Sequence, residues 1–78
     1  MKFGKYIFHI AEKAFKLKNV EILENIADLN AQIIIYGGTD EEYDLVVLGE
    51  YIAELIIQLK NNTIDMNKIN VLKNMIKY

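Results

Sequence analysis

The chain has 78 residues, 53 % of them hydrophobic, with a formal net charge of −2 and no cysteine, proline or tryptophan. That length is one domain near the lower limit for a self-sufficient core, and the lack of cysteine excludes a disulfide staple and a thiolate metal site. All nine basic residues are lysine, so the best bidentate reader of phosphate and guanine is absent.

The opening stretch, MKFGKYIFHIAEK, has too short an apolar run for a secretory leader and no small-residue cleavage site after it. Apolar residues at Phe3, Ile7, Ile10, Ala14 and Leu17 alternate in steps of four and three, the seam of one helix face. Lys18-Asn19 closes this first helix, with Asn19 as its left-handed terminator or as the next N-cap. The second helix repeats the spacing at Ile22, Ile26, Leu29, Ile33 and Tyr36. These first two helices resemble one helix-turn-helix unit of the tetratricopeptide kind. The period does not recur along the chain, and no family follows from it.

The next stretch, IIIYGGTDEEYDLVVLG, allows two readings. Its β-branched runs around Gly37-Gly38 suit a β-hairpin at 32–48, which would make an α+β fold. The helical seam runs unbroken to Tyr36 and a third one starts at Leu45, so a helical hairpin is favoured. Gly37 or Gly38 then takes the left-handed terminating position. Thr39 is expected as the N-cap of the third helix, with Glu42 completing a capping box and Asp40, Glu41 and Asp44 favoured by the helix dipole. The third seam is Leu45, Leu48, Ile52, Leu55 and Leu59. Asn61-Asn62-Thr63 breaks it, Thr63 or Asp65 caps a fourth helix, and Ile69, Leu72 and Ile76 form a weaker stripe. The predicted fold is all-α, a single antiparallel bundle of four short helices at about 3–18, 20–36, 40–61 and 65–77 with the second and third at its centre.

The third helix is apolar beyond its seam, at Val46, Val47, Tyr51, Ala53, Ile56 and Ile57. Such a helix is either central or shared with another chain. Its interior Gly49, with Ala53 four residues on, would let another helix approach closely. The expected self-association residues are therefore Leu48, Ile52, Leu55, Ile56 and Leu59, and the expected partner is a second copy. The apolar fraction, slightly above that of ordinary globular chains, agrees with a covered surface.

Charge is segregated along the chain. Residues 1–18 hold five lysines against Glu12. Residues 19–54 hold Glu21, Glu24, Asp28, Asp40, Glu41, Glu42, Asp44, Glu50 and Glu54 with no lysine. Residues 55–78 hold four lysines against Asp65. Packing of basic helices beside acidic ones accounts for most of this pattern. A functional reading adds an acidic partner face at Asp40, Glu41, Glu42, Tyr43, Asp44, Glu50 and Tyr51, directed at a larger protein with a basic surface.

Chemistry is sparse. His9 has no spaced histidine or cysteine partner, so no zinc site follows. Glu50 and Glu54 share a face at i, i+4 without a Glu-x-x-His companion. YGGTD lacks the lysine of a phosphate loop. Serine and cysteine are absent, which leaves no nucleophile in a recognisable setting. No enzyme, cofactor or metal is expected. Nucleic-acid binding through Lys13, Lys16 and Lys18, or through Asn67, Asn70 and Asn74, is opposed by a pI near 5.3. The longest charge-free run is far short of the roughly 20 residues of a membrane span. The expectation is a cytoplasmic, non-enzymatic protein–protein interaction module, a homodimeric regulator or scaffold. The alternatives are a small acidic inhibitor of a larger, nucleic-acid-processing protein, and a small helical nucleic-acid-binding regulator.

Overall fold

A computed structural model describes residues 3–78. Among them the chain forms four α-helices: α1 Phe3–Lys16, α2 Val20–Ile35, α3 Leu45–Asn61 and α4 Met66–Ile76. The all-α reading holds. The β-hairpin alternative fails, because Ile33–Ile35 close α2 while Leu45–Gly49 open α3. Among the described residues, extended pairing is limited to one antiparallel bridge between Tyr43 and Lys77.

Three helix ends use the same device. Lys18, Gly37 and Asn62 take left-handed backbone angles, with φ of 55°, 79° and 53°. In each case the next amide reaches back to the last turn: Asn19 N–H to the Ala14 carbonyl at 2.8 Å, Gly38 to Ile33 at 2.7 Å and Thr63 to Gln58 at 3.1 Å. This satisfies carbonyls that a helix end otherwise leaves open. Asn19 is the N-cap of α2, its side chain accepting from Ile22 N–H at 3.1 Å, and Asp65 caps α4 through Lys68 N–H at 3.3 Å.

The helix α3 starts later than the sequence suggests. Its N-cap is Asp44, which accepts from Val46 N–H at 3.0 Å and Val47 N–H at 3.2 Å. The expected capping box of Thr39 and Glu42 does not form. Instead the Asp40 carboxylate accepts from the N–H groups of Glu42 at 2.8 Å and Tyr43 at 2.9 Å, which holds 40–43 as a turn. An aspartate that bonds its own downstream amides competes with helix formation. The end of the chain fixes the same turn, as Asp44 N–H donates to the Ile76 carbonyl at 2.7 Å and Tyr78 N–H to the Glu42 carbonyl at 3.1 Å.

α3 is the central helix. It packs against α1, α2 and α4, and α4 takes its main packing from α3. Leu48, Ile52 and Leu55 have no accessible surface. They meet Ile7, Ala11 and Ala14 of α1, Leu23 and Ile26 of α2, and Ile69 and Ile76 of α4 in one continuous core. Gly49 lies close against α2: a Cβ there would stand 3.2 Å from the Asn30 amide nitrogen. Asn30 is buried, and its Nδ2 donates to the Leu45 carbonyl at 2.9 Å.

Candidate functional site

The buried residues of α1 are Gly4, Ile7, Ala11 and Ala14, and those of α2 are Leu23, Ile26 and Asn30. At 3.6 residues per turn, these arcs are offset by about a quarter turn from part of each expected seam. The seams therefore run half inside and half outside. Ile7, Ala14 and Ile26 reach the core, while Ile10, Leu17, Ile22, Leu29 and Tyr36 are exposed. Tyr6 joins them on the α1 side. The exposure is large, 71 % at Tyr6, 67 % at Leu17 and 87 % at Tyr36.

α1 and α2 run antiparallel and in contact, so these residues border a shared outer face. At one end, Phe3, Leu29, Ile33 and Tyr36 line a cleft of about 310 Å³, which shows that the α1 and α2 stripes adjoin. At the other end, the tight turn at Leu17–Asn19 joins α1 directly to the first turn of α2. A band of large apolar residues along two adjacent helices is the kind of patch that marks an interaction site.

Its borders carry opposite charges. Lys5, Lys13, Lys16 and Lys18 are exposed on or after α1, and Glu21, Glu24 and Asp28 are exposed on α2. Three ion pairs cross between helices elsewhere: Lys60 to Glu24 at 3.5 Å, Lys68 to Glu54 at 3.0 Å and Lys73 to Glu12 at 2.8 Å. Of these, Lys68–Glu54 sets the basic α4 against the acidic α3, whereas Lys73–Glu12 joins the two basic outer helices. The Glu54 carboxylate also raises the Lys68 pKa by hydrogen bonding to its ammonium. Among the described residues, Lys13, Lys16, Glu21 and Asp28 form no ion pair.

A second cleft, of about 300 Å³, opens between α1 and α4 over α3. Phe15, Tyr51, Leu59, Ile64, Met66 and Ile69 form its apolar lining, and Glu12, Lys16, Lys18 and Lys73 its rim. Tyr51 is 2 % exposed and its ring stacks at a tilt on Phe8, 5.5 Å between centroids. Burial, and then the Glu12 charge, push its phenol up to about 12. The phenol thus stays protonated at neutral pH and can only donate or accept a hydrogen bond.

The expected site residues are largely not where a partner could meet them. Leu48, Ile52 and Leu55 are sealed in the core, and Ile56 and Leu59 are partly buried against it. Leu48, Ile52 and Leu55 of the expected self-association set thus face helices of the same chain, while Val46, Ala53 and Ile57 of α3 stay exposed. The expected acidic face also divides. Asp40, Tyr43 and Tyr51 are buried, Asp44 is occupied as an N-cap, and Glu41, Glu42 and Glu50 remain exposed.

Asp40 has a structural duty. Besides its own turn it accepts from Gly4 N–H at 3.0 Å, closing the first turn of α1 from 36 residues away. Burial raises its pKa, but the three backbone bonds outweigh that and hold it below the ordinary carboxylate value. Gly4 permits the contact: a Cβ there would lie 2.5 Å from the Tyr43 Cβ. His9 is exposed, 4.0 Å from Glu12. Among the described residues no cluster of His, Cys, Asp and Glu could hold a metal ion, and no helix is long and apolar enough to cross a membrane. Compared with models of known protein families, with curated proteins and with solved structures, the chain matches none of them.

Proposed function

We propose that this chain is a non-enzymatic protein–protein interaction module that works as a homodimer, in a regulatory or scaffolding role. The observation that carries the reading is the outer apolar band of α1 and α2, from Tyr6, Ile10 and Leu17 across to Ile22, Leu29 and Tyr36. A chain of this size has little core to spare, yet it leaves these large side chains in water. Covering them with another copy would remove that apolar area from solvent.

The test is native mass by light scattering over a hundredfold range of concentration. The wild-type chain is expected to approach twice its monomer mass. Leu29→Glu, at an exposed position, is expected to stay monomeric with an unchanged helical circular-dichroism spectrum. A wild-type monomer throughout the range would overturn the homodimer.

The second reading, an inhibitor that meets a basic surface on a larger protein, is supported by the lysine-free stretch 19–54 and by exposed Glu41, Glu42 and Glu50. It lacks the aromatic anchors that the sequence suggests for it, because Tyr43 and Tyr51 are buried.

A further inference from the structure

The homodimer reading leaves open how the two copies face each other, and the charge layout chooses between the arrangements. We infer, resting on that reading, that two copies pack outer face to outer face about a two-fold axis parallel to the helices. This places α1 of each copy over α2 of the other.

A symmetric dimer through one face needs a two-fold axis lying in the plane of contact. For a face made of two antiparallel helices, two directions give layered four-helix packing. An axis along the helices sets α1 over the other copy's α2. An axis across them sets α1 over α1 and α2 over α2. The first brings exposed Lys13 and Lys16 toward Glu21 and Asp28. The second reverses the heights: Lys13 and Lys16 come toward the start of the other α1, with Lys5, and Asp28 comes toward the other Asp28, so that no lysine meets Glu21 or Asp28. Like charges brought together across an interface oppose association, and opposite ones steer it.

Level along the helices gives the same answer. An axis along the helices leaves each residue at its own height. Lys13 is in the last turn of α1 and Glu21 in the first turn of α2, and the turn at Leu17–Asn19 sets these two turns at the same end of the pair. Phe3 and Tyr36 mark the opposite end, where they line one cleft. So Lys13 comes to the level of Glu21 in the other copy, and Tyr6 comes toward the Leu29–Tyr36 end of the band. None of Lys13, Lys16, Glu21 or Asp28 has an ion-pair partner among the described residues of its own chain.

The outer third of two helices about 21 and 24 Å long offers on the order of 600 Å² per copy. That is at the low end for a stable interface. With so modest an area, charge matching carries weight in setting the arrangement.

The first measurement is the dimer dissociation constant of the unaltered chain against salt. Opposite charges in register predict several-fold weakening from low to high ionic strength. Tightening with salt, or no change, overturns the arrangement. The second uses one variant with both borders reversed: Lys13→Glu, Lys16→Glu, Glu21→Lys and Asp28→Lys in the same chain, which leaves the net charge unchanged. It should dimerise with itself at near the wild-type affinity. Mixed with wild type it should sort into like pairs, because a mixed dimer would face carboxylate to carboxylate and lysine to lysine.

Mixed dimers at or above the statistical half overturn the arrangement. A variant that keeps its helical spectrum but is monomeric does so as well. If the reversed variant does not fold, the salt series on the native chain decides alone. A wild-type chain that never dimerises defeats the homodimer reading itself, a result separate from any of these.

Discussion

Removing the Asp40 side chain, as in Asp40→Ala, takes away three acceptor contacts at once. The Glu42 amide lies on an exposed residue and finds water. The Gly4 and Tyr43 amides lie on buried residues and lose their acceptor. Each buried amide left unpaired costs roughly 1–3 kcal/mol. Water entering the vacated volume recovers part of this, so the expected loss is about 3 kcal/mol. A domain of this length is stable by about 4–12 kcal/mol, so the loss is a large share and lowers the melting temperature by about 12–24 °C. Asp40→Asn keeps one acceptor oxygen and should lose roughly half as much. The pH dependence has a definite sign. The folded pKa lies below the ordinary value of 3.8. The contribution is therefore fully present above that value and disappears as pH falls through the folded pKa. Urea denaturation of wild type and both variants at pH 7 and again near pH 3 is the assay. The gap between wild type and Asp40→Asn should narrow at the lower pH. An Asp40→Ala change of under about 0.5 kcal/mol at pH 7, the range of an ordinary surface substitution, would refute the claim that this carboxylate fastens α1 to the turn.

Gly4→Ala drives a methyl into the Tyr43 side chain and is expected to cost about 1–3 kcal/mol in a thermal melt, although alanine is the better helix former. Asn30→Leu removes a buried Oδ1 that has no hydrogen-bond partner together with the Nδ2 bond to the Leu45 carbonyl. The two effects oppose each other, and denaturant unfolding should show a net change within about 1 kcal/mol. Leu55→Ala, at a site with no accessible surface, should cost about 2–5 kcal/mol. Light scattering at a temperature where the variant is folded should leave its mass unchanged, whereas Leu29→Glu should change the mass with little effect on folding.

The sequence pattern is faithful where the core is built from large side chains. Of the α3 seam, Leu45, Leu48, Ile52 and Leu55 are buried and Leu59 partly so; in α4, Ile69 and Ile76 are buried and Leu72 partly so. It misleads on α1 and α2 because their inner arcs are lined partly by Gly4, Ala11, Ala14 and Asn30. Small or polar residues carry almost no hydrophobic signal, yet they let helices approach closely. Large residues on the flank then dominate the apparent seam. The start of α3 is misplaced for a different reason. Thr39 and Asp44 are both good caps, and contacts remote in sequence favour the later one: Asp40 beside Thr39 is engaged by Gly4 N–H, and Asp44 N–H is engaged by the Ile76 carbonyl. Tyr43 and Tyr51 look exposed among carboxylates, but they belong to an aromatic cluster with Phe8. Spacing alone does not bring these three together, since Phe8 lies on α1.

The same misreading of α1 and α2 bears on function. In a self-sufficient bundle, the strongest apolar stripe of a helix faces its own core. Here α1 turns two alanines and a glycine inward and leaves Tyr6, Ile10 and Leu17 at the surface, while α2 turns Asn30 inward and leaves Ile22, Leu29 and Tyr36 outside. Close packing on α3 requires the small inner residues, but it does not require large apolar residues on the outer flank. Lysine or glutamate there would favour the monomer equally well and protect it from aggregation. An outer flank that remains apolar along both helices, bordered by lysine on one and carboxylate on the other, is the feature the proposed homodimer answers. In that dimer a copy of the same face would supply apolar area for the band and the opposite charge for each border.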